Sequence, residues 1–308
     1  MLTSFFSKSK PITYIVIALY ILVLYGTTCI KSGIDTRITS ILLYLLDVFL
    51  VIGSVFILQF IVQKNDLTIK GAYTIFLYAC LVCTLPNAFI NNTSFLLLSH
   101  FLVVLGFQNL VYLRDGKQLK SKLFNASICI ALASLAYFWS IGFMFLIFIA
   151  VAIFAPQNYR NWIIPLLGVI MIYVFANCFT LLVYDIFFPI SRYIDTVSFT
   201  FEPYLSGDEL VSVGVIGLCT IFFGLLFLFK FSRKSANQKP VLRLIVAYLI
   251  IAMGIAAIAP QKNTSELFFM ATPLAIIGST YLEMQYHKFA KEINIWVFLL
   301  IPVVILWF

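Results

Sequence analysis

The stretch RDGKQLKSKLFNASICIALASLAYFWSIGFMFLIFIAVAIFAPQNYR, Arg114 to Arg160, decides how the whole chain is arranged. Its first nine residues hold Arg114, Lys117, Lys120 and Lys122. The chain is then apolar from Leu123 to Ala155, and the next charge is Arg160. A bilayer core of about 30 Å is crossed by about 20 helical residues, so this run is too long for one crossing. Basic residues at both ends assign both ends to the cytoplasmic side, where Lys and Arg are retained. The run is therefore expected to be a tight helical hairpin that turns near Trp139-Ser140-Ile141-Gly142, and the hairpin sets the side of every other loop.

Composition agrees with a membrane protein. Of 308 residues, 63% are hydrophobic and 10% charged, with a mean hydropathy of +1.06. Soluble domains of this size carry about a quarter charged residues. No polar stretch is long enough to enclose a core of its own, so residues 1–308 are expected to form a single integral membrane domain. The formal charge of +8 does not indicate nucleic acid, because the charges lie in short loops between apolar spans. The first apolar run lacks a small-residue cleavage site and is expected to be a retained helix. The six cysteines fall in or beside apolar spans, and Cys80 and Cys83 form a C-x-x-C within one of them. Small residues packing between helices explain that spacing better than redox or metal chemistry, and no disulfide framework follows.

Taken in order, the apolar runs predict an all-α bundle of about eleven transmembrane helices, with the N-terminus inside and the C-terminus outside. Pro11 suits the first turn of the first helix. The expected helices run from about Ile12 to Ile30, Ile38 to Val62, Ala72 to Leu85 and Phe95 to Leu113. The hairpin supplies two more. The rest are expected from about Trp162 to Tyr184, Leu210 to Phe229, Leu242 to Ile258, Leu267 to Leu282 and Ile293 to Phe308. The longest outer segment, Asp185 to Glu209, is expected to be a partly helical loop on the outer surface. This arrangement puts sixteen of the 20 Lys and Arg inside, leaving Lys31, Arg37, Arg192 and Lys262 outside. Seven of the 12 acids fall outside, the opposite bias.

Few residues invite chemistry. Asp47 is the one acid placed well inside a span, where a carboxylate is costly and is a functional candidate by default. The alternative is a structural hydrogen bond to a neighbouring Tyr or Ser, or a depth shallow enough to reach water. His100 faces the same choice in the fourth helix. Asp35 in GIDTR lies in a short outer loop two residues from Arg37, where a base or metal ligand meets a lipid-linked headgroup. An ordinary solvated loop with weakly paired charges is the alternative. Glu266, at the outer start of the tenth helix, either favours that helix N-terminus electrostatically or faces the same cavity as Asp35. The sequence has no Walker A, G-x-G-x-x-G or G-x-S-x-G motif. Two histidines, His100 and His287, do not make the ligand cluster of an iron oxygenase.

Three stretches, FFSKSKPI (Phe5 to Ile12), SICIALASLAYFWSIGFMFLIFIAVAIF (Ser127 to Phe154) and SELFFMATPLAIIGSTYLE (Ser265 to Glu283), together resemble an uncharacterised family of Bacteroidota inner-membrane proteins over essentially the whole chain. That resemblance implies a polytopic inner-membrane protein with no established activity. More distantly the chain is similar to the GT-C membrane glycosyltransferases. Asp35 holds the place of their first-loop acid. The run from His100 into the hairpin looks similar, and so does a charged outer turn, here Glu266, before a late helix with an internal proline, Pro273. This second resemblance implies transfer of a sugar from a polyprenyl-phosphate donor at the outer leaflet, often with a divalent metal. In an enzyme of that kind Asp35 is the expected base or metal-linked acid. Arg37 and Arg192 would hold phosphate, and Glu266 would support the cavity. The first loop here has one acid rather than the frequent pair, and no large outer domain is present. The rival expectation is a non-catalytic membrane subunit that packs against a partner protein in an envelope complex, with membrane lipid around it. A transporter built on Asp47 is the third.

Overall fold

The computed structural model describes residues 2–6, 11–31, 38–68, 72–86, 94–188, 196–205, 207–231, 237–260, 262–284 and 287–307. Among them a helical turn, Leu2–Phe5, precedes eleven longer helices. These are α1 (Pro11–Lys31), α2 (Ile38–Lys64), α3 (Ala72–Cys83), α4 (Ser94–Val111), α5 (Leu119–Ala136), α6 (Met144–Phe154), α7 (Tyr159–Tyr184), α8 (Gly207–Phe231), α9 (Lys239–Ile258), α10 (Phe268–Met284) and α11 (Lys288–Trp307). No described residue is in a strand. Among the described residues nine helical segments are long and apolar enough to cross a membrane, and α3 and the segment Phe138–Phe154 are shorter apolar helices. The expected multi-pass helical bundle is the observed fold.

Several helices begin earlier than their apolar runs suggest. α8 takes in Asp208 and Glu209, α9 starts at Lys239, and α11 includes Lys288 and Lys291, which were expected to lie in loops. Hydropathy marks the part of a helix that meets hydrocarbon, whereas backbone hydrogen bonding continues into the polar ends. Glu209, an acid in the first turn of α8, also suits the positive end of the helix dipole.

The hairpin forms where the sequence placed it. α5 stops at Ala136, and Tyr137 is extended (φ −143°, ψ 111°), with its N–H donating to the Ala133 carbonyl. A 3-10 turn, Phe138–Phe143, follows, and α6 continues from Met144. Ser140 tightens the turn by donating from its N–H (3.1 Å) and its Oγ (2.8 Å) to the Tyr137 carbonyl. At the basic end, Gly116 (φ 68°) and Gln118 (φ 52°) are both left-handed and turn the chain from a short 3-10 helix, Tyr112–Asp115, into α5. Lys122 Nζ donates to the Tyr112 carbonyl at 2.6 Å and lies 4.0 Å from Asp115 Oδ2.

The helices group into two compact units. The first comprises Met1–Leu97, Thr200–Lys239 and Lys262–Phe308. Its centre is α3, all twelve residues of which are buried. At 1.5 Å per residue α3 is about 18 Å long, too short for the full hydrocarbon core. It contacts α1, α2, α10 and α11, with α10 packed most extensively. Thr74 Oγ1 donates to Ser279 Oγ at 2.9 Å between α3 and α10, and Ser279 donates onward to the Ile276 carbonyl at 2.8 Å. Gly278 lets α10 close on its neighbours, since a Cβ there would meet Phe223 Cε2 at 2.8 Å and Leu77 Cδ1 at 3.1 Å. α1 is tied to α11 by Tyr20, whose hydroxyl donates to the Leu299 carbonyl at 3.0 Å. Lys291 of α11 places Nζ 4.4 Å over the Tyr73 ring, which explains how a loop-like lysine is accommodated within a helix.

The second unit comprises Leu98–Phe199 and Pro240–Gln261. Its aromatic core joins α4, the hairpin turn and α9: Tyr248 meets Phe107 at 5.0 Å and Phe143 at 4.9 Å between ring centroids, both edge-on. α7 packs on α5 along one stripe, Asn161, Pro165, Gly168 and Ile172, the only buried residues of that helix. The facing stripe on α5 includes Ser127, Ala131 and Ser134, all small and buried. Small residues let helix backbones approach closely where lipid supplies no hydrophobic drive. Ser134 Oγ donates to the Ala131 carbonyl at 2.7 Å, so the Tyr173 hydroxyl donates to Ser134 Oγ across the interface at 3.0 Å.

Candidate functional site

The first unit contains a buried polar assembly at the head of α10. The chain reaches it through Lys262, Asn263 and Thr264. Thr264 is left-handed (φ 61°, ψ −14°), a costly conformation for a β-branched residue and one that persists only where surroundings enforce it. Thr264 accepts from the Leu267 N–H at 3.1 Å and so starts the 3-10 turn Ser265–Leu267 that leads into α10. This turn directs the side chain of Glu266 inward, where the residue is 0% exposed.

Glu266 is closely held. Oε1 accepts from the Tyr204 hydroxyl, Oε2 accepts from Ser265 Oγ at 3.4 Å, and the backbone N–H groups of Asn263 and Glu266 also bind the carboxylate. Tyr204 belongs to a 3-10 turn, Glu202–Leu205, closed by its own N–H donating to the Phe201 carbonyl at 3.2 Å. Lys262 is 1% exposed, with Nζ 4.5 Å over the Phe201 ring and 5.9 Å from the Tyr204 ring centre. Burial pushes the Lys262 amine below the ordinary lysine range, and the opposite charge of Glu266 pulls it part of the way back. Two opposite charges, two aromatic rings and a strained turn thus close the top of α10. A carboxylate already filled by donors is suited to holding structure. Acting as a base would require Tyr204 to leave.

Of the residues singled out from sequence, Asp35, Arg37 and Arg192 lie outside the described residues. Glu266 sits at the start of its helix as expected. Asp47 is 7% exposed on α2, with Tyr25 and Cys29 of α1 and Ser94 of α4 nearby. His100 is buried on α4 in the second unit. Sequence reasoning missed the roles of Lys262, Phe201 and Tyr204. The four-residue spacing of Lys262 and Glu266 was a visible signal, whereas nothing local links either to Tyr204. Among the described residues no group of three or more His, Cys, Asp or Glu side chains is placed to hold a metal ion, so the metal implied by the GT-C resemblance has no ligand set among them.

A model of a family described as "Family of unknown function (DUF6427)" matches residues 1–308, and the chain belongs to that family. The match covers the whole chain, and the family carries no described function. No curated protein and no solved structure matches.

Proposed function

We propose that this family member is a non-catalytic, multi-pass subunit of an envelope complex in the bacterial inner membrane, docked there against a partner membrane protein. The observation that carries this reading is α7. Only four of its 26 residues are buried, and of its apolar 18-residue stretch 6% is buried, against 94% for that of Ser265–Glu283. Its packed side is taken up by α5 and α6, and the other faces present Leu166, Ile170, Val174, Phe175, Phe179 and Leu182. The internally satisfied Glu266 supports the same reading, because the acid expected to support a substrate cavity is engaged in structure. The test is photo-crosslinking in intact native membranes from benzoylphenylalanine placed at Phe175 or Phe179 of the full-length chain. A discrete protein adduct at both positions is expected. Adducts with lipid alone would overturn the proposal.

A second reading keeps the resemblance to GT-C transferases and rests on the charged assembly of Lys262 and Glu266 before α10, the helix that carries Pro273. On that reading the protein binds or processes a polyprenyl-phosphate-linked sugar at the outer leaflet, with Asp35 as base and Arg37 and Arg192 on phosphate. Deletion of the gene, followed by mass spectrometry of envelope glycans and lipid-linked sugars, tests it. The reading requires a changed glycan that the native chain restores and the Asp35→Asn chain does not.

A further inference from the structure

Asp47 lies ten residues into α2, about 13 Å along the helix from its start, within a span whose mean hydropathy is 2.7. Its Oδ1 is buried and has no hydrogen-bond partner among the described residues. Ser94, the polar side chain that approaches it from the start of α4, has an Oγ that is buried and likewise without a partner. α2 packs against α1 and α3. From α1 the groups near Asp47 are Tyr25 and Cys29; Tyr44 lies one turn earlier on α2; from α3, Tyr78 and Cys83 adjoin Tyr25. All are neutral hydroxyls and thiols at ordinary pH, and among the described residues no basic group acts on Asp47.

An ionised carboxylate here would be a charge out of water with no counter-charge among the described residues, the situation buried acids escape by taking up a proton. A metal cation in the same place would need several oxygen ligands. One carboxylate and a few hydroxyls on separate helices suit a proton far better. The neutral acid can donate its new O–H to Ser94 Oγ, whereas the charged form would have a single hydroxyl in place of a counter-charge.

We propose that Asp47 and Ser94 form an intramembrane proton-binding site, in which the Asp47 carboxylate takes a proton from water and presents it to the Ser94 hydroxyl. No other bond changes. Cys29 lies two residues before the end of α1 and Ser94 is the first residue of α4, so the proton exchanges through the end of the first unit formed by those helix termini. The charge bias of the loops assigns that end to the outside. The site is independent of the docking function proposed for α7.

The test uses the full-length protein in native membrane vesicles and the apolar probe dicyclohexylcarbodiimide, which adds to a protonated carboxylic acid and rearranges to a stable N-acylurea. The Asp47 peptide is quantified by mass spectrometry between pH 6 and pH 9, with sodium or potassium as the salt. Labelling of Asp47 that falls by about tenfold or more across this range, equally in both salts, is expected, since an ordinary exposed aspartate is ionised throughout it. Asp47→Asn, a neutral mimic of the protonated acid, is expected to lose the label and keep the wild-type melting temperature. Ser94→Ala is expected to fold and to shift the pH at which labelling falls. Absent labelling, or labelling independent of pH, overturns the proposal. So does protection by sodium but not potassium at fixed pH, which would make the ligand a metal cation. Unfolding of Asp47→Asn would overturn it too, since the resident form would then be the charged one.

Discussion

Gly168 of α7 lies so close to Ser127 of α5 that a Cβ added to it would fall 1.9 Å from Ser127 Oγ and 2.8 Å from Ser127 Cβ. No side chain fits in that space, and Ser127 cannot swing away freely because its hydroxyl donates to the Phe124 carbonyl at 2.7 Å. Gly168→Ala is therefore expected to destabilise the second unit by about 1–3 kcal/mol, the range for overpacking a close contact. Adding Ser127→Gly to it should restore most of the loss. Melting of the purified protein in detergent reads both changes, and an unaltered Gly168→Ala melt would refute the contact.

The pair at the head of α10 predicts strong coupling. Tyr204→Phe removes a donor to a buried carboxylate and should cost about 1.5–3 kcal/mol, as for a hydrogen bond to a charged group. Glu266→Ala, which leaves Lys262 buried beside an unfilled site, should cost more, about 3–5 kcal/mol. If the two residues act through one bond, the double variant will lose less than the sum of the single losses. Equilibrium unfolding in mixed detergent measures this, and additive losses would show that the bond contributes nothing.

Lys262 gives the same assembly a pH dependence of known sign. Its pKa in the folded protein is lowered by burial. Between that value and the ordinary lysine range near about 10.4 the unfolded chain binds more protons, so this residue makes stability rise with pH there. The contribution is levelled off once pH passes the unfolded value. Lys262→Met should remove that rise relative to wild type in melts taken at intervals up to the lysine range. Parallel curves for the two proteins would contradict it.

The hairpin and the charge count together predict sidedness. Lys117→Cys and Asn158→Cys, one on each arm of the Arg114–Arg160 stretch, should react with an impermeant maleimide only after cells are opened. Asn263→Cys, in the turn before α10, should react in intact cells. Background from the six native cysteines is controlled by labelling the parent chain alongside. Opposite accessibility of positions 117 and 158 would mean a single crossing in place of a hairpin.

The residues themselves show how far hydropathy reaches. The order of the described helices and the turn at Phe138–Phe143 follow from apolar run length, a local property, and where Lys and Arg fall gives the expectation that the Glu266 turn is outside. Glu266 was visible as a charge at a helix start, and Asp47 as an acid within a span. Asp35, Arg37 and Arg192 fall outside the described residues, and their shared cavity remains an expectation.

By itself the sequence determined that this chain is a bundle of about eleven helices and where most of them begin and end. Only the tertiary structure decided that α3 is buried on every side while α7 is almost bare. The two read alike in sequence, because a neighbouring helix and a lipid chain are equally apolar and a residue facing either carries the same side chain. The tertiary structure also decided that Tyr204 meets Glu266 across 62 residues. Such a contact depends on how distant helices pack, and no periodicity within either segment encodes it.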